Sequence, residues 1–522
     1  MKEFNVTGVC VPDKHYMVNT EQKLFEIMEM AHKGQYFIIN RARQYGKTTT
    51  LVSLSKILNV GLCTCIYISF EGVGESMFKD EESFCTRFQR QLFRVLKRTN
   101  PTLAAEWNTT DATDFDELGD CIDVLCRERR VFLIIDEVDA ASNNLLFLSF
   151  LGMLRKLYLE RDSGGQNTFH SVILAGVHDI KNIKLKLVKE GKSELKEGER
   201  QYNSPWNIAT DFKVDMSFSP ADITTMLIEY EEDHHTGMDI HAISHEIYDF
   251  TGGYPYLTSR ICKYIDEELG KNWTISGVHE AVKIVTAERN TLFDDLLKNL
   301  ESYKELYDLL YLTVIKGRKR QFSILSEDIN IAVTFGYIKR IGNRVAVSNK
   351  IFEMVLSNHF ISEDEKKEGF NPPVGNGLYK EITSSGSFNM ELCLRKFAEY
   401  YNEIFTTRNI SFLEEHGAII FLSFLKPLVN GSGFYHIESQ LIDNRRMDIV
   451  VDYGNEQFII ELKLWRGDAY HAKAYDQLIG YMKAKSAVKG YLVTFDLRKE
   501  GNKKQKSEWV KIGDRQIFEV IV

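Results

Sequence analysis

Arg446-Met447-Asp448-Ile449-Val450-Val451-Asp452-Tyr453-Gly454-Asn455-Glu456-Gln457-Phe458-Ile459-Ile460-Glu461-Leu462-Lys463 reads as a β-hairpin with an acid on one strand and Glu-x-Lys on the other. Gly454-Asn455 is a two-residue turn of the glycine-first kind that joins antiparallel strands. With the register set by that turn, Asp448 stands directly opposite Glu461, and facing side chains carry Cβ atoms about 4.5–5.5 Å apart. Lys463, two residues on, shares the face of Glu461. Two carboxylates that close repel unless a cation lies between them, and hard oxygen ligands suit Mg²⁺. Cross-strand charges are often plain surface, but here both strands are strongly apolar (Ile449, Val450, Val451; Phe458, Ile459, Ile460) and belong inside a sheet. Facing acids in a core sheet are costly without a cation, which favours a metal site.

The chain is 522 residues long, enough for about two to four domains with cores of their own. Its 44% apolar and 27% charged residues are ordinary for a soluble protein. No run of about eighteen apolar residues marks a membrane span, and Met1-Lys2-Glu3-Phe4-Asn5 lacks a signal-peptide core. Eight cysteines are scattered without a CxxC pair, which argues against zinc and disulfide frameworks and for a reducing, cytoplasmic location. The net charge of −9 argues against a chain that coats nucleic acid indiscriminately, while leaving room for a local basic groove.

Apolar strands are expected at 36–40, 65–70, 131–135 and 171–177, with a fifth over Phe212–Phe218. Between them lie helical patterns through Leu51–Leu58, Phe84–Leu96, Phe115–Cys126 and Leu145–Leu159. Alternating strands and helices predict a parallel sheet covered on both faces. After Ser219-Pro220, an N-cap followed by proline at the first helical position, the pattern turns helical. Gly252-Gly253-Tyr254-Pro255 interrupts it. Two short strands at 335–340 and 344–348 follow helices, the layout of a winged helix. Residues 369–386 are rich in Gly, Pro, Asn and Ser and read as a linker. The expected boundaries are 1–218 for a P-loop core, 219–290 for a helical lid, 291–365 for a winged-helix-like domain, 366–386 for the linker and 387–522 for a further α/β domain.

Gly46-Lys47-Thr48 lies between an apolar strand and a helix, where backbone N–H groups can hold phosphates. Lys47 would neutralise them and the Thr48 hydroxyl would ligate Mg²⁺; the first glycine of the full pattern is replaced by Arg41. A solvated loop is the bland alternative. Asp136-Glu137, at the end of an apolar strand, is where a Walker B pair holds magnesium-bound water and polarises the attacking water. The next strand ends near His178-Asp179, the place of a γ-phosphate sensor. In these motifs, and in Asn40–Thr48, Ile134–Val138, Ala175–Asp179, Ser204–Ile208 and Thr251–Tyr256, residues 1 to about 360 resemble the AAA-like P-loop ATPases of prokaryotic mobile-element and defence contexts, relatives of the STAND NTPases. That resemblance implies ATP and Mg²⁺ as cofactors and makes Arg41 a family trait. It implies nucleotide contacts from Arg43, Gly46, Lys47, Thr48, Thr49, Asp136 and His178, with Glu137 catalytic, and a lid contact from Pro255, which local physics alone reads as a helix start. Arg155, Arg161 and Arg260 are the candidates for a trans-acting arginine, each equally readable as surface charge.

The opening hairpin resembles the PD-(D/E)XK nuclease superfamily, specifically the nuclease domain found fused to AAA-like ATPases. Asp448 and Glu461-Leu462-Lys463 match its Asp and Glu-x-Lys, with Met447 in place of the proline. The resemblance implies Asp448 and Glu461 as ligands of Mg²⁺ (or Mn²⁺) and Lys463 as the group that positions or deprotonates water. Gln477 and Tyr481, one helical turn apart, resemble the Gln-x-x-x-Tyr that borders the DNA path in relatives. Glu415, in an apolar helix, is the first candidate to complete the metal site, with Glu414 and Glu438 as competitors. Basic stretches at 316–320, 181–196 and 498–506 read as solvated surface. The expected activity is ATP hydrolysis coupled to metal-dependent cleavage of DNA, RNA not being excluded, by a cytoplasmic protein that could form homo-oligomers. The alternative is a regulatory signalling NTPase whose C-terminal domain binds nucleic acid without cutting it.

Overall fold

The computed structural model describes residues 2–61, 63–107, 110–141, 144–177, 206–318, 320–368, 376–383, 387–407, 414–429, 433–438, 447–454, 456–465, 467–496, 498 and 506–522. The chain divides into two compact units. Met1–Ser244, Gly253–Lys263 and Thr334–Gly336 form the first; His245–Gly252, Tyr264–Val333 and Tyr337–Val522 form the second.

In the first unit β1 (Phe37–Asn40), β2 (Cys63–Ser69), β3 (Arg130–Asp136) and β4 (Ser171–Gly176) make a parallel sheet in the order β1-β4-β3-β2. The strands are nearly continuous runs of apolar residues because both faces are covered. Alternation sends Ile66, Ile68, Leu133 and Ile135 into one core cluster, shared with helices Glu81–Thr99, Phe115–Cys126 and Leu145–Asp162. Cys65, Phe132, Ile134 and Ile173 enter the other, shared with helices Glu21–His32 and Lys47–Leu58.

Phe212–Phe218 is not the expected fifth strand. Thr210 makes a single bridge to Phe37, and the chain then leaves the ladder. The Arg41 guanidinium takes the Val214 carbonyl at 2.7 Å, and Phe212 stacks on Phe37 with ring centroids 5.9 Å apart. The segment's polar groups are met by a side chain in place of a neighbouring strand, and an apolar run that reads as β stays irregular.

Helix Pro220–His234 starts as expected, with a capping box between Ser219 and Asp222. Gly253 has φ +72°, and a Cβ there would lie 1.9 Å from the Phe218 carbonyl oxygen. That close approach is fixed by the Phe218 N–H donating to the Gly253 carbonyl at 2.8 Å, so only glycine fits. Pro255 opens the next helix, Pro255–Glu267.

In the second unit β5 (Ile338–Ile341) and β6 (Arg344–Val347) pair antiparallel and are followed by helix Lys350–Glu368. Part of the expected linker has regular structure. Residues Asn376–Ile382 are helical and Ile382 is fully buried. Helix Lys350–Glu368 also packs onto the C-terminal part of the unit: Lys426 Nζ donates to the Asn358 carbonyl and the Ser362 hydroxyl, and Tyr435 donates to Asn358 Oδ1.

Six strands complete this unit: β7 (Gly433–Glu438), β8 (Met447–Tyr453), β9 (Glu456–Leu464), β10 (Lys489–Phe495), β11 (Lys506–Ile512) and β12 (Arg515–Ile521). Their order is β11-β12-β10-β9-β8-β7, with β9, β10 and β12 parallel and the remaining neighbours antiparallel. One face buries Val450, Ile459, Leu492 and Ile517 under helix Asp468–Ala484. Helices Met390–Thr407 and Glu414–Val429 supply Phe397, Tyr401 and Phe421 to a separate aromatic group that includes Phe495 of β10.

Candidate functional site

The turn between β1 and helix Lys47–Leu58 holds Gln44 and Gly46 at φ +56° and +76°. Gly46 is the N-cap of the helix, and a helix N-terminus is where backbone N–H groups can hold an anion. Lys47 opens the helix, is 6% exposed, and donates to the carbonyls of Arg41 and Ala42, both at 2.9 Å. Burial pushes its ammonium below the ordinary lysine value, while Glu137, Asp139 and Asp136 pull it back up. Thr48 is half-buried on the first helical turn and Arg43 is exposed. The Thr49 hydroxyl accepts from the Cys10 N–H at 3.1 Å, tying the N-terminal segment to the same turn.

Asp136 ends β3 with 1% exposure and accepts from the Tyr67 hydroxyl at 3.0 Å and the Glu137 N–H at 2.9 Å. Glu137 sits at φ +53°, left-handed and without glycine's freedom. Such strain is sustained only where the surroundings over-determine it, and it concentrates at functional sites. Burial raises its carboxyl above the ordinary value, with Lys47 opposing. Asp139, which sequence reading passed over, accepts the Val177 N–H at 2.6 Å and so joins the ends of β3 and β4. Its signal was available: an acid one turn beyond the Asp-Glu pair. His178 lies outside the described residues.

Beside this turn opens a cavity of about 400 Å³, lined by Val6, Gly8, Tyr45, Gly46, Thr50, Pro255 and Ser259 among others. Its size falls within the range of small-molecule sites. Pro255 is thus placed with the phosphate turn, and Tyr254 beside it donates to the Arg43 carbonyl and packs edge-on to Tyr45. Residues 5–10 form part of the wall without helix or strand periodicity, so no pattern in the sequence announced them. Arg161 is committed elsewhere, donating to the carbonyls of Phe169, His170 and Gly34.

In the second unit the register is the one read from the turn: Asp448 pairs with Glu461, and Tyr453 with Glu456. Gly454 has φ +60°; Asn455 lies outside the described residues. Glu461 and Lys463 are 2% and 4% exposed and form an ion pair at 2.9 Å. They share the face of Ile459, under helix Asp468–Ala484. The backbones of Asp448 and Glu415 are in strand and helix, while their side chains, and that of Glu438, lie outside the described residues. Among the described residues no group of three or more His, Cys, Asp and Glu is disposed to hold a metal. Glu461 supplies one buried carboxylate, the kind of oxygen donor a hard cation takes, and the Asp448 backbone stands in register opposite it. Gln477 is half-buried on helix Asp468–Ala484, whereas Tyr481 is 7% exposed and packs in the core cluster with Leu478 and Met482.

A family model described as an AAA-like domain matches residues 9–358, and one described as the PD-(D/E)XK nuclease superfamily matches residues 434–506. No curated protein matches the chain. Among solved structures, the Walker-type ATPase PABY2304 of Pyrococcus abyssi is 12% identical with a TM-score of 0.45, over 68% of this chain and 99% of that one. The Aeropyrum pernix ORC2 protein, in its ADPNP–ADP complexes, is 13% identical with a TM-score of 0.37, over 66% of this chain and 93% of that one. No helix among the described residues is long and apolar enough to cross a membrane.

Proposed function

This chain belongs to the AAA-like domain family, and from that premise we propose an ATP-controlled nuclease. The first unit binds and hydrolyses ATP with Mg²⁺, and the C-terminal sheet cleaves DNA with Mg²⁺ or Mn²⁺. The observation that carries the reading is the nearly dry Glu461–Lys463 pair, on a strand whose register partner is Asp448. A buried ion pair is no gain in stability over apolar packing, so its retention points to use.

At the nucleotide, the Gly46 turn and Lys47 bind the β- and γ-phosphates, the amine turning from the Arg41 and Ala42 carbonyls to phosphate oxygens. Thr48 and Asp136 are the residues that would hold Mg²⁺. Glu137, its carboxyl raised by burial, polarises the attacking water. His178 senses the γ-phosphate, Thr49 and Arg43 border it, and Pro255 closes the cavity that takes the base against Val6 and Gly8. At the nuclease centre, Asp448, Glu461 and Glu415 would hold the divalent cation. When bound, that ion supplies an activated water and offsets charge on the phosphate. Lys463 orients or deprotonates the water and stabilises the developing oxyanion. Gln477 and Tyr481 border the nucleic-acid path, with Tyr481 acting as a packed support. The protein works in the cytoplasm, in prokaryotic defence or mobile-element biology, with self-association as the means by which nucleotide state is read.

The coupling is tested by assaying full-length wild type and Lys47→Ala on plasmid, linear duplex, single-stranded DNA and RNA, with and without ATP. Cutting by wild type that responds to ATP, and loses that response in Lys47→Ala, is expected. Cutting indifferent to both the nucleotide and the substitution removes the coupling, and preference for RNA replaces the substrate.

A further inference from the structure

Two carboxylates of the C-terminal sheet are buried beyond anything the nuclease reading uses. Glu519 of β12 is 0% exposed and Asp496, just past β10, is 1% exposed. Buried charges persist only with charged or hydrogen-bonding partners, and each acid has basic side chains against it. One oxygen of Glu519 lies against His471 Nε2, and the other accepts from Tyr475 (2.5 Å) and Lys506 (3.1 Å). Asp496 receives Arg498 as a fork, Nε at 2.9 Å and Nη2 at 2.6 Å. Burial pushes the Glu519 carboxyl up, but His471, Tyr475 and Lys506 together hold it below the ordinary value.

His471 and Arg498 meet one indole. Trp465 directly follows β9, with its ring 4.7 Å from the His471 ring and 5.0 Å from the Arg498 guanidinium carbon. Such contacts hold a cation in place at modest cost. Their location is specific. β9, β10 and β12 run parallel, so their carboxyl ends share an edge. Trp465 leaves β9 and Arg498 leaves β10 at that edge, and His471 lies in the opening turn of the helix that returns from it. Lys463 stands in register beside Thr494, whose hydroxyl is 3.4 Å from His471 Nε2. Glu461, Leu492 and Glu519 share one register row and one face. Open α/β sheets bind ligands outside the carboxyl ends of their parallel strands.

We propose that His471 and Arg498 form a clamp for the polynucleotide backbone, taking a phosphate next to the one presented to Lys463, with Glu519 and Asp496 as the positioning residues that fix the two side chains. The clamp deepens, and rests on, the nuclease reading of the same sheet. Arg498 keeps 39% of its side chain exposed while anchored, which lets it meet a phosphate without giving up Asp496; His471 presents an edge, at 11%. Lys506, at 31%, adds a further positive group.

The test uses the full chain carrying Asp448→Ala, so that substrate is not consumed. A fluorescein-labelled duplex of DNA is titrated by anisotropy in Ca²⁺ from about 50 to 200 mM salt. Arg498→Gln is expected to weaken binding about tenfold and to lower the slope of log K against log salt by about 0.9, one charged phosphate contact, and His471→Asn to weaken binding about tenfold through its lost contact. Glu519→Gln should reproduce the His471→Asn result. Lys489→Ala, an exposed lysine over Trp509 in the same sheet, should leave the slope unchanged. A purely structural role would alter melting temperature without moving the slope. Parental affinity and slope in folded variants overturn the clamp, and if His471→Asn does not fold, Arg498→Gln alone decides. A parent that binds neither DNA nor RNA overturns the nuclease reading along with the clamp, whereas a binding parent with indifferent variants overturns the clamp alone.

Discussion

Replacing Lys463 by methionine removes one charge from the sheet while keeping a side chain of similar length. Glu461 would then keep a side chain only 3% exposed and lose the ammonium at 2.9 Å. At that separation the attraction is about 6 kcal/mol for an effective dielectric of about 20. Most of it is offset by the desolvation of both ions, so the intact pair contributes little net stability. Removing one partner is different: it leaves a buried charge uncompensated, at about 3–5 kcal/mol. For a domain of this size each kcal/mol moves the melting temperature by about 2–4 °C. Lys463→Met should therefore lower the melting temperature of the second unit by about 6–20 °C in EDTA. The double variant Lys463→Met/Glu461→Gln should recover most of that loss, because neither buried charge remains. Mn²⁺ should raise the melting temperature of Lys463→Met more than that of wild type, since a cation bound by Glu461 replaces the missing positive charge. Differential scanning calorimetry with EDTA or Mn²⁺, without nucleotide, reads all of this. A loss below about 1 kcal/mol in Lys463→Met, which would put the pair with ordinary surface charges, together with no response to Mn²⁺, would refute the reasoning.

Three further substitutions probe the first unit. Gly253→Ala places a methyl group 1.9 Å from the Phe218 oxygen at φ +72°; the left-handed penalty of about 1–2 kcal/mol and the lost hydrogen bond of about 1 kcal/mol should both appear as a lower urea midpoint. Arg41→Gly restores the usual first glycine of the phosphate loop yet loses the charged hydrogen bonds to Asn40 and Val214, so urea unfolding should show a loss of about 1.5–3 kcal/mol per bond at most and no gain. Glu137→Gln should bind ATP and hydrolyse it at least about a hundredfold more slowly. Because burial raises the Glu137 carboxyl in the folded state, ionising it at neutral pH opposes folding. The amide variant should therefore be the more stable protein above that raised value, with its advantage shrinking as pH falls through it and gone below the ordinary carboxylate value. Stability of the two proteins compared across pH checks the sign.

The hairpin was legible because a glycine-first turn fixes register by counting, and the pairing of Asp448 with Glu461 follows from that count alone. The β1 loop and the ends of β3 and β4 were legible for a similar reason: apolar strands stop where polar chemistry starts. Other features depend on contacts between distant segments. The Val214 carbonyl is taken by Arg41, which no local pattern records, and so the apolar run Phe212–Phe218 passes for a strand. The cavity wall at residues 5–10 has no period to detect. Gly and Pro made 369–386 look like a simple linker, although Asn376–Ile382 is helical and buries Ile382. The spacing of Gln477 and Tyr481 correctly gave one helix, but periodicity does not say which member of such a pair sinks into the core, and here it is Tyr481. His471 and Glu519 come from separate elements, and only the folded sheet brings them together.

The most direct measurement is plasmid cleavage by full-length wild type, Asp448→Asn and Glu461→Gln, each with Mg²⁺, with Mn²⁺ and with EDTA. Wild type should cut with either metal and stop in EDTA, and both variants should be slower by more than about a hundredfold while remaining folded. Metal-dependent cutting that persists undiminished in folded Asp448→Asn would contradict the assignment of this hairpin as the hydrolytic centre.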